Sequence, residues 1–187
     1  MELWDAYDRY GNKTGGTLVR GEVVPEGQYH LVCGILVRHA DGDYLLMRRD
    51  LSKTAWAGYF EASLGGAVQK GETLLEGAFR ELQEESGIIA DKLIPYYAAR
   101  DQNTLYGAFI CETNWPKDRI TLQPRETMEY RWVSRGEIIR MMQETPCQCV
   151  VQAGTRAYFG LATPDSAEEY RMLDGTEDIR DFFKFDS

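Results

Sequence analysis

Arg80, Glu81, Glu84 and Glu85 stand within six consecutive positions of a 187-residue chain. If this stretch is helical, its three carboxylates fall within about 100° of arc on one face. Like charges three and four residues apart cost roughly 0.2–0.5 kcal/mol per pair. Glu84 and Glu85 also fall in the last turn of such a helix, where the negative end of the macrodipole disfavours anions. A bound divalent cation would relieve both penalties. Bundled carboxylates without an adjacent Cys or His suit a hard ion, Mg2+ or Mn2+. The alternative reading of the same run is a solvated acidic face.

Positioning these groups requires the helix, and its signals are present. Thr73 with Glu76 three residues later forms a capping-box pattern, and Gly87 stands where a left-handed C-cap belongs. Leu75, Ala78, Phe79 and Leu82 recur at helical spacing and predict a stripe facing a core. Gly65-Gly66 leads into this unit from a short predicted strand over 59–64. Upstream, residues 2–8 and 14–24 predict a hairpin turning at Gly11-Asn12, and the apolar run 30–37 predicts a buried strand. Asp41-Gly42-Asp43 turns that run into a strand over 44–48. Downstream, 93–100, 104–112 and 130–133 read as strands and 113–125 as a loop. Ser134 with Glu137 caps a second helix, and Thr145-Pro146 opens a third running towards Tyr158, with Cys147 and Cys149 packed on it. Several strands with a few interleaved helices predict an α+β fold, a mixed β-sheet packed between helices as an α/β/α sandwich. The domain is expected over 1–160, with the hairpin (1–28) as an N-terminal extension.

From Leu161 onward the chain holds eight acidic residues against three basic ones. This segment could cover the domain or make a homodimer contact. A solvated acidic appendage over 161–187, with short surface helices near Glu168 and Asp178, is the simpler expectation. Net charge is −9, which argues against nucleic acid or an anionic membrane as partner. It leaves room for a small anionic substrate drawn to a metal site. No apolar run approaches the length of a membrane span, and Met1 to Gly11 lacks a signal-peptide pattern. Four cysteines and two histidines lack zinc or redox spacing, so a reduced, cytoplasmic setting is expected.

Gly66, Glu72, Arg80-Glu81-Leu82, Glu84-Glu85 and Gly87-Ile88 together match G-x5-E-x7-R-E-U-x-E-E-x-G-U, with U aliphatic, at all nine specified positions. This segment resembles the box of the Nudix hydrolases, and a chance match at a given register is on the order of 10⁻⁹ or lower. The resemblance implies a loop-helix-loop that binds divalent metal and cleaves a diphosphate joined to some other moiety. It also implies roles. Glu81 and Glu85 would be the principal metal ligands, Glu84 a further ligand or the group that orients water, and the Gly66 carbonyl a completing ligand. Arg80 would orient the carboxylates, pairing with Glu84 and Glu76, and Glu72 could brace it. Glu84 is the first candidate for general base and Glu126 the second, with Glu129 behind it.

The opening segment, from Leu3-Trp-Asp-Ala-Tyr-Asp8 through His30, looks more loosely like the branch related to isopentenyl-diphosphate isomerase. Those isomerases need a Cys in a Cys-x-His-Pro motif before a degraded box. Here Gly65 and Ala67 stand at the Cys and His positions, no cysteine lies nearby in sequence, and the box is intact. A diphosphate hydrolase is therefore expected ahead of an isomerase or a Nudix-fold ligand-binding module without turnover. Arg49, Lys53 and Arg100 are candidate phosphate contacts, and Trp56 and Tyr59 candidate substrate contacts. Tyr96, Tyr97, Tyr106 and Phe109 could stack on a base, although aromatics at strand spacing are more often core.

Overall fold

The computed structural model describes residues 1–144, 149–163 and 169–185. The apolar run becomes β3 (His30–His39), which pairs in parallel with β7 (Thr104–Thr113) along its whole length. Parallel pairing requires a long crossover. The acidic helix α1 (Leu74–Ser86) lies on that crossover, and β6 (Ile94–Asp101) returns the chain antiparallel to β7. On the other side β4 (Tyr44–Arg49) meets β3 only at the hairpin end, Arg38 opposite Tyr44, and gives its edge to β8 (Thr127–Val133) and to the short β5 (Phe60–Glu61). The separate hairpin, β1 (Leu3–Tyr7) with β2 (Lys13–Val19), turns where expected, with Gly11 at φ +81°.

Alternate residues of β3 face opposite cores, as the two-residue strand period dictates. Cys33, Ile35 and Val37 pack with Ala78 and Leu82 of α1. Leu36 packs with Ile138, Met141 and Met142 of α2 (Arg135–Gln143) and with Phe159, which follows α3 (Ala153–Tyr158). The result is the expected α+β sandwich of a mixed sheet between helices. Tyr96, Tyr97, Tyr106 and Phe109 are all buried in these cores, so none is exposed for base stacking. No helix among the described residues is long and apolar enough to cross a membrane.

Three expectations are corrected. The third helix is short. Thr145, Pro146 and Cys147 lie outside the described residues, and Cys149 is not helical but forms β9 (Cys149–Val150) in parallel with Phe60–Glu61. Unpaired backbone on β5 is satisfied better by a strand than by one more helical turn. The acidic tail is not a solvated appendage. Glu169–Met172 forms β10, which pairs with β6 over Tyr97 to Arg100, while Phe182 and Phe183 are buried beside Phe109. Apolar residues spaced among charges hid this contribution, since tail composition reports charge and not what the phenylalanines cover. Glu168 lies outside the described residues, and near Asp178 there is only a 3-10 turn, Ile179–Asp181.

The third correction concerns phase. α1 buries Leu74, Gly77, Ala78, Leu82 and Ser86, whereas Leu75 is exposed and Phe79 only half-buried. The buried face is thus rotated by one residue from the predicted stripe. Small residues, invisible to a hydrophobic pattern, form part of it.

Candidate active site

The helix begins and ends as its sequence requires. The Thr73 hydroxyl accepts the Glu76 amide, and the Glu76 carboxylate accepts the Thr73 amide. Gly87 adopts φ +76° and donates its N–H to the Gln83 carbonyl. The preceding loop is pinned onto β3: Leu64 bridges Ile35, and Cys33 donates its amide to the Gly66 carbonyl at 2.9 Å. Gly65 between them has φ +145°, and a Cβ there would stand 2.1 Å from the Cys33 carbonyl oxygen. Only glycine lets the loop lie this close to the strand. Its free amide is then turned to the helix, donating to Glu85 at 3.2 Å.

Arg80 is the hub of the carboxylates. Its guanidinium donates twice to Glu72 (2.7 and 3.0 Å), once each to Glu81 (2.7 Å) and Glu84 (3.3 Å), and to the Ala67 carbonyl. The bracing role expected of Glu72 is therefore seen. The pairing expected with Glu76 is not, because Glu76 is committed to the helix cap. Hydrogen bonding to Glu72 and Glu81 holds the Arg80 pKa up, and the same pair with Arg80 holds Glu72 below the usual carboxylate range. Glu81 and Glu85 go the other way. Burial raises Glu81 despite Arg80 beside it. Burial first, then the charges of Glu81 and Glu61, push Glu85 up to about 8.

The cavity beside these carboxylates also holds cations. Arg49, Lys53 and Arg20 share with Glu81, Glu84, Glu85 and Glu126 a cavity of about 310 Å³. Arg49 donates to Glu61 at 2.6 Å, Lys53 pairs with Glu126, and Arg20 pairs with Glu2 at 2.6 Å. Arg20 and Glu2 come from the hairpin, and no local signal in the sequence marks either as a site residue. Glu61 was equally invisible: a single carboxylate in a two-residue strand. A hollow of about 360 Å³ around Arg38, His39 and Glu112 is larger, but none of the residues singled out for chemistry lines it.

The remaining candidates fall elsewhere. Arg100 is held by Glu169 and the Arg9 carbonyl. Glu129 pairs with Arg48 and Arg131. Trp56 and Tyr59 meet edge to face at 5.6 Å on an exposed loop and do not line the cavity. The Gly66 carbonyl, expected as a ligand, is occupied by the Cys33 amide, and its Sγ lies 3.5 Å away. That contact also brings a cysteine beside the box, remote in sequence but close in space. Burial pushes its pKa up to about 12.

Among the described residues no three His, Cys, Asp or Glu side chains already stand in ligating positions. Arg80 draws Glu81 and Glu84 to one side, and Gly65 holds Glu85. The donor chemistry nevertheless fits a hard divalent cation: the three carboxylates of α1 border one cavity together with Glu2 and Glu126, and the buried Glu85 accepts only the Gly65 amide among the described residues. Ligation would require Glu81 and Glu84 to turn from Arg80.

The comparisons with known proteins identify the family and the fold. The family model described as NUDIX domain matches residues 28–148. An uncharacterized Nudix hydrolase of Listeria monocytogenes is 32% identical over 143 residues, covering 74% of this chain and 83% of the relative. An isopentenyl-diphosphate Delta-isomerase of Salmonella heidelberg is 31% identical over 124 residues, covering 63% of this chain and 68% of the isomerase. Among solved structures, DR0079 from Deinococcus radiodurans superposes with a TM-score of 0.60 at 21% identity, covering 74% of this chain and 87% of that one, a likeness of fold.

Proposed function

The chain belongs to the Nudix family, and from that premise we propose that it is a Mg2+-dependent pyrophosphohydrolase that cleaves the diphosphate linkage of a nucleoside diphosphate joined to another moiety. The observation that carries the reading is the two-sign cavity, lined both by the carboxylates of α1 and by Arg49, Lys53 and Arg20. Carboxylates alone would repel a diphosphate, and cations alone would bind one without activating water.

The residues divide the work accordingly. Glu81, Glu84 and Glu85 would hold the cation, Mn2+ being an alternative to Mg2+. The Gly66 carbonyl offers at most the lone pair that Cys33 leaves. When bound, the ion neutralises phosphoryl oxygens and makes hydroxide accessible near neutral pH. Arg80 keeps the carboxylates on one face of the cavity and balances their charge before the ion arrives. Arg49 and Lys53, with Arg20, neutralise the outer phosphoryl oxygens and so favour the charge that develops in the transition state. Glu84 is our first choice of base because it is the most water-accessible of the cluster, at 46% exposure. Glu126, held by Lys53, is the second.

An isomerase reading is weaker. Gly65 stands where the isomerase cysteine would be, and Cys33, although close, is 1% exposed. Cys33 and Cys111 are free and buried, which suits a reducing, cytoplasmic setting. The test is a Mg2+-supplemented panel of nucleoside diphosphate sugars, dinucleoside polyphosphates, ADP-ribose and oxidised dNTPs. At least one should be hydrolysed by the native protein, with turnover lost in Glu85→Gln. No turnover of any, with metal bound, would favour a binding module.

A further inference from the structure

A second, smaller hollow of about 100 Å³ adjoins the charged cavity and shares Gly65 with it. It is lined by Glu61, Ser63, Tyr106 and Cys33, with Gln152 at its edge. The Arg49–Glu61 pair joins the two spaces: Arg49 lines the charged cavity and Glu61 the hollow, across a 2.6 Å hydrogen bond. A ligand whose phosphate meets Arg49 therefore has its next atoms beside Glu61. We infer that this hollow is the subsite for the moiety beyond the diphosphate, and that it favours a compact, neutral, hydroxyl-bearing group. The inference rests on the diphosphate reading of the neighbouring cavity and adds which substrates it accepts.

Size favours a compact group. The hollow measures about 100 Å³, against the roughly 150 Å³ that benzene fills in a closed cavity, and it opens to solvent, so it wraps a small group more completely than a purine. Its walls are also fixed. A Cβ at Gly34 would stand 1.7 Å from the Tyr106 hydroxyl, so the tyrosine lies across bare backbone and cannot be displaced towards β3 without rebuilding that strand.

The polar groups choose among small occupants. Glu61 spends one oxygen on Arg49, and its carboxylate can accept from a ligand through the other. The Tyr106 hydroxyl, in contact with the Ser63 and Tyr97 side chains, stays protonated because burial raises its pKa. Ser63 and Tyr106 can each donate as well as accept, while the Cys33 thiol is turned to the Gly66 carbonyl. A hydroxyl both donates and accepts, so it satisfies such a set. A second phosphate or carboxylate would face Glu61 at close range and be repelled.

The experiment compares ADP esterified to glycerol with ADP esterified to 1-propanol, which differ only by two hydroxyls, and adds diadenosine diphosphate as the bulky case. The native protein should favour the glycerol ester by about tenfold in kcat/KM, the scale of one or two neutral hydrogen bonds, and should turn over diadenosine diphosphate least. Ser63→Ala and Tyr106→Phe should each cut that preference severalfold, the ratio of the two esters within each variant cancelling any general loss of activity or stability. Equal rates on the two esters, a preference for diadenosine diphosphate, or a preference that survives both substitutions would overturn the subsite. If none of the three is hydrolysed, the hydrolase reading is decided separately by the wider substrate panel. Calorimetric binding of the two esters then decides the subsite, tighter binding of the glycerol ester sustaining it and equal binding ending it.

Discussion

Replacing Glu85 by Gln should stabilise the metal-free protein while destroying its activity. Glu85 ordinarily titrates near 4.5, and in the fold burial and the charges of Glu81 and Glu61 push it up to about 8. Because the native state holds this proton more tightly, unfolding releases it between those two values. Stability of the metal-free protein therefore falls as pH rises from about 4.5 to about 8 and levels off above. The gap corresponds to a ceiling of about 5 kcal/mol. Water at the cavity mouth and the freedom of a glutamate side chain reduce that by half or more, leaving about 2 kcal/mol. Gln keeps the shape and the Gly65 contact without the charge. At pH 8 in EDTA the variant should melt roughly 4–8 °C above the native protein, and at pH 4.5 the two should coincide. Mg2+ should raise the native melting temperature and leave the variant nearly unmoved, and hydrolysis by the variant should fall at least about a hundredfold. Scanning calorimetry across pH, with and without Mg2+, reads all of this. A variant less stable than native at pH 8 in EDTA, or one stabilised equally by Mg2+, would refute the argument that this buried charge is held for a cation.

Other perturbations test neighbouring parts of the account. Arg80→Lys keeps the charge but loses the fork that holds Glu72, Glu81 and Glu84, so chemical denaturation should show a loss of about 1–2 kcal/mol and steady-state assays a marked fall in kcat. Lys53→Met removes a phosphate contact, not the metal ligands, and should raise KM about five- to tenfold with kcat nearly kept and a weaker dependence on ionic strength. Phe182→Ala should cost about 3–5 kcal/mol in urea unfolding, because Phe182 is 1% exposed beside Phe109. On a solvated tail the same change would be within about 0.5 kcal/mol of neutral.

The helix, its caps and the convergence of its carboxylates were legible from residues 66–88 alone. Helix caps, i to i+4 hydrogen bonds and the arc of three carboxylates are all set by neighbours in the chain, so Thr73, Glu76, Gly87 and the Glu81–Glu85 cluster are found where their spacing puts them. So is the buried strand, since the nearly continuous apolar run over 30–37 needs cover. Local spacing could not report the other half of the site. Arg20, Glu2, Glu61 and Cys33 reach the helix through strand pairing and hairpin packing across tens of residues, and each looks ordinary where it stands in the sequence. The same holds for the phase of α1, where Gly77 and Ser86 are buried and Leu75 is not, and for Glu169–Met172, which becomes a sheet edge only because β6 offers one. Short-range geometry determined where the carboxylates converge. Long-range pairing decided that Arg20 joins Arg49 and Lys53 around the same cavity while Arg100 does not, and it shaped the small hollow beside them.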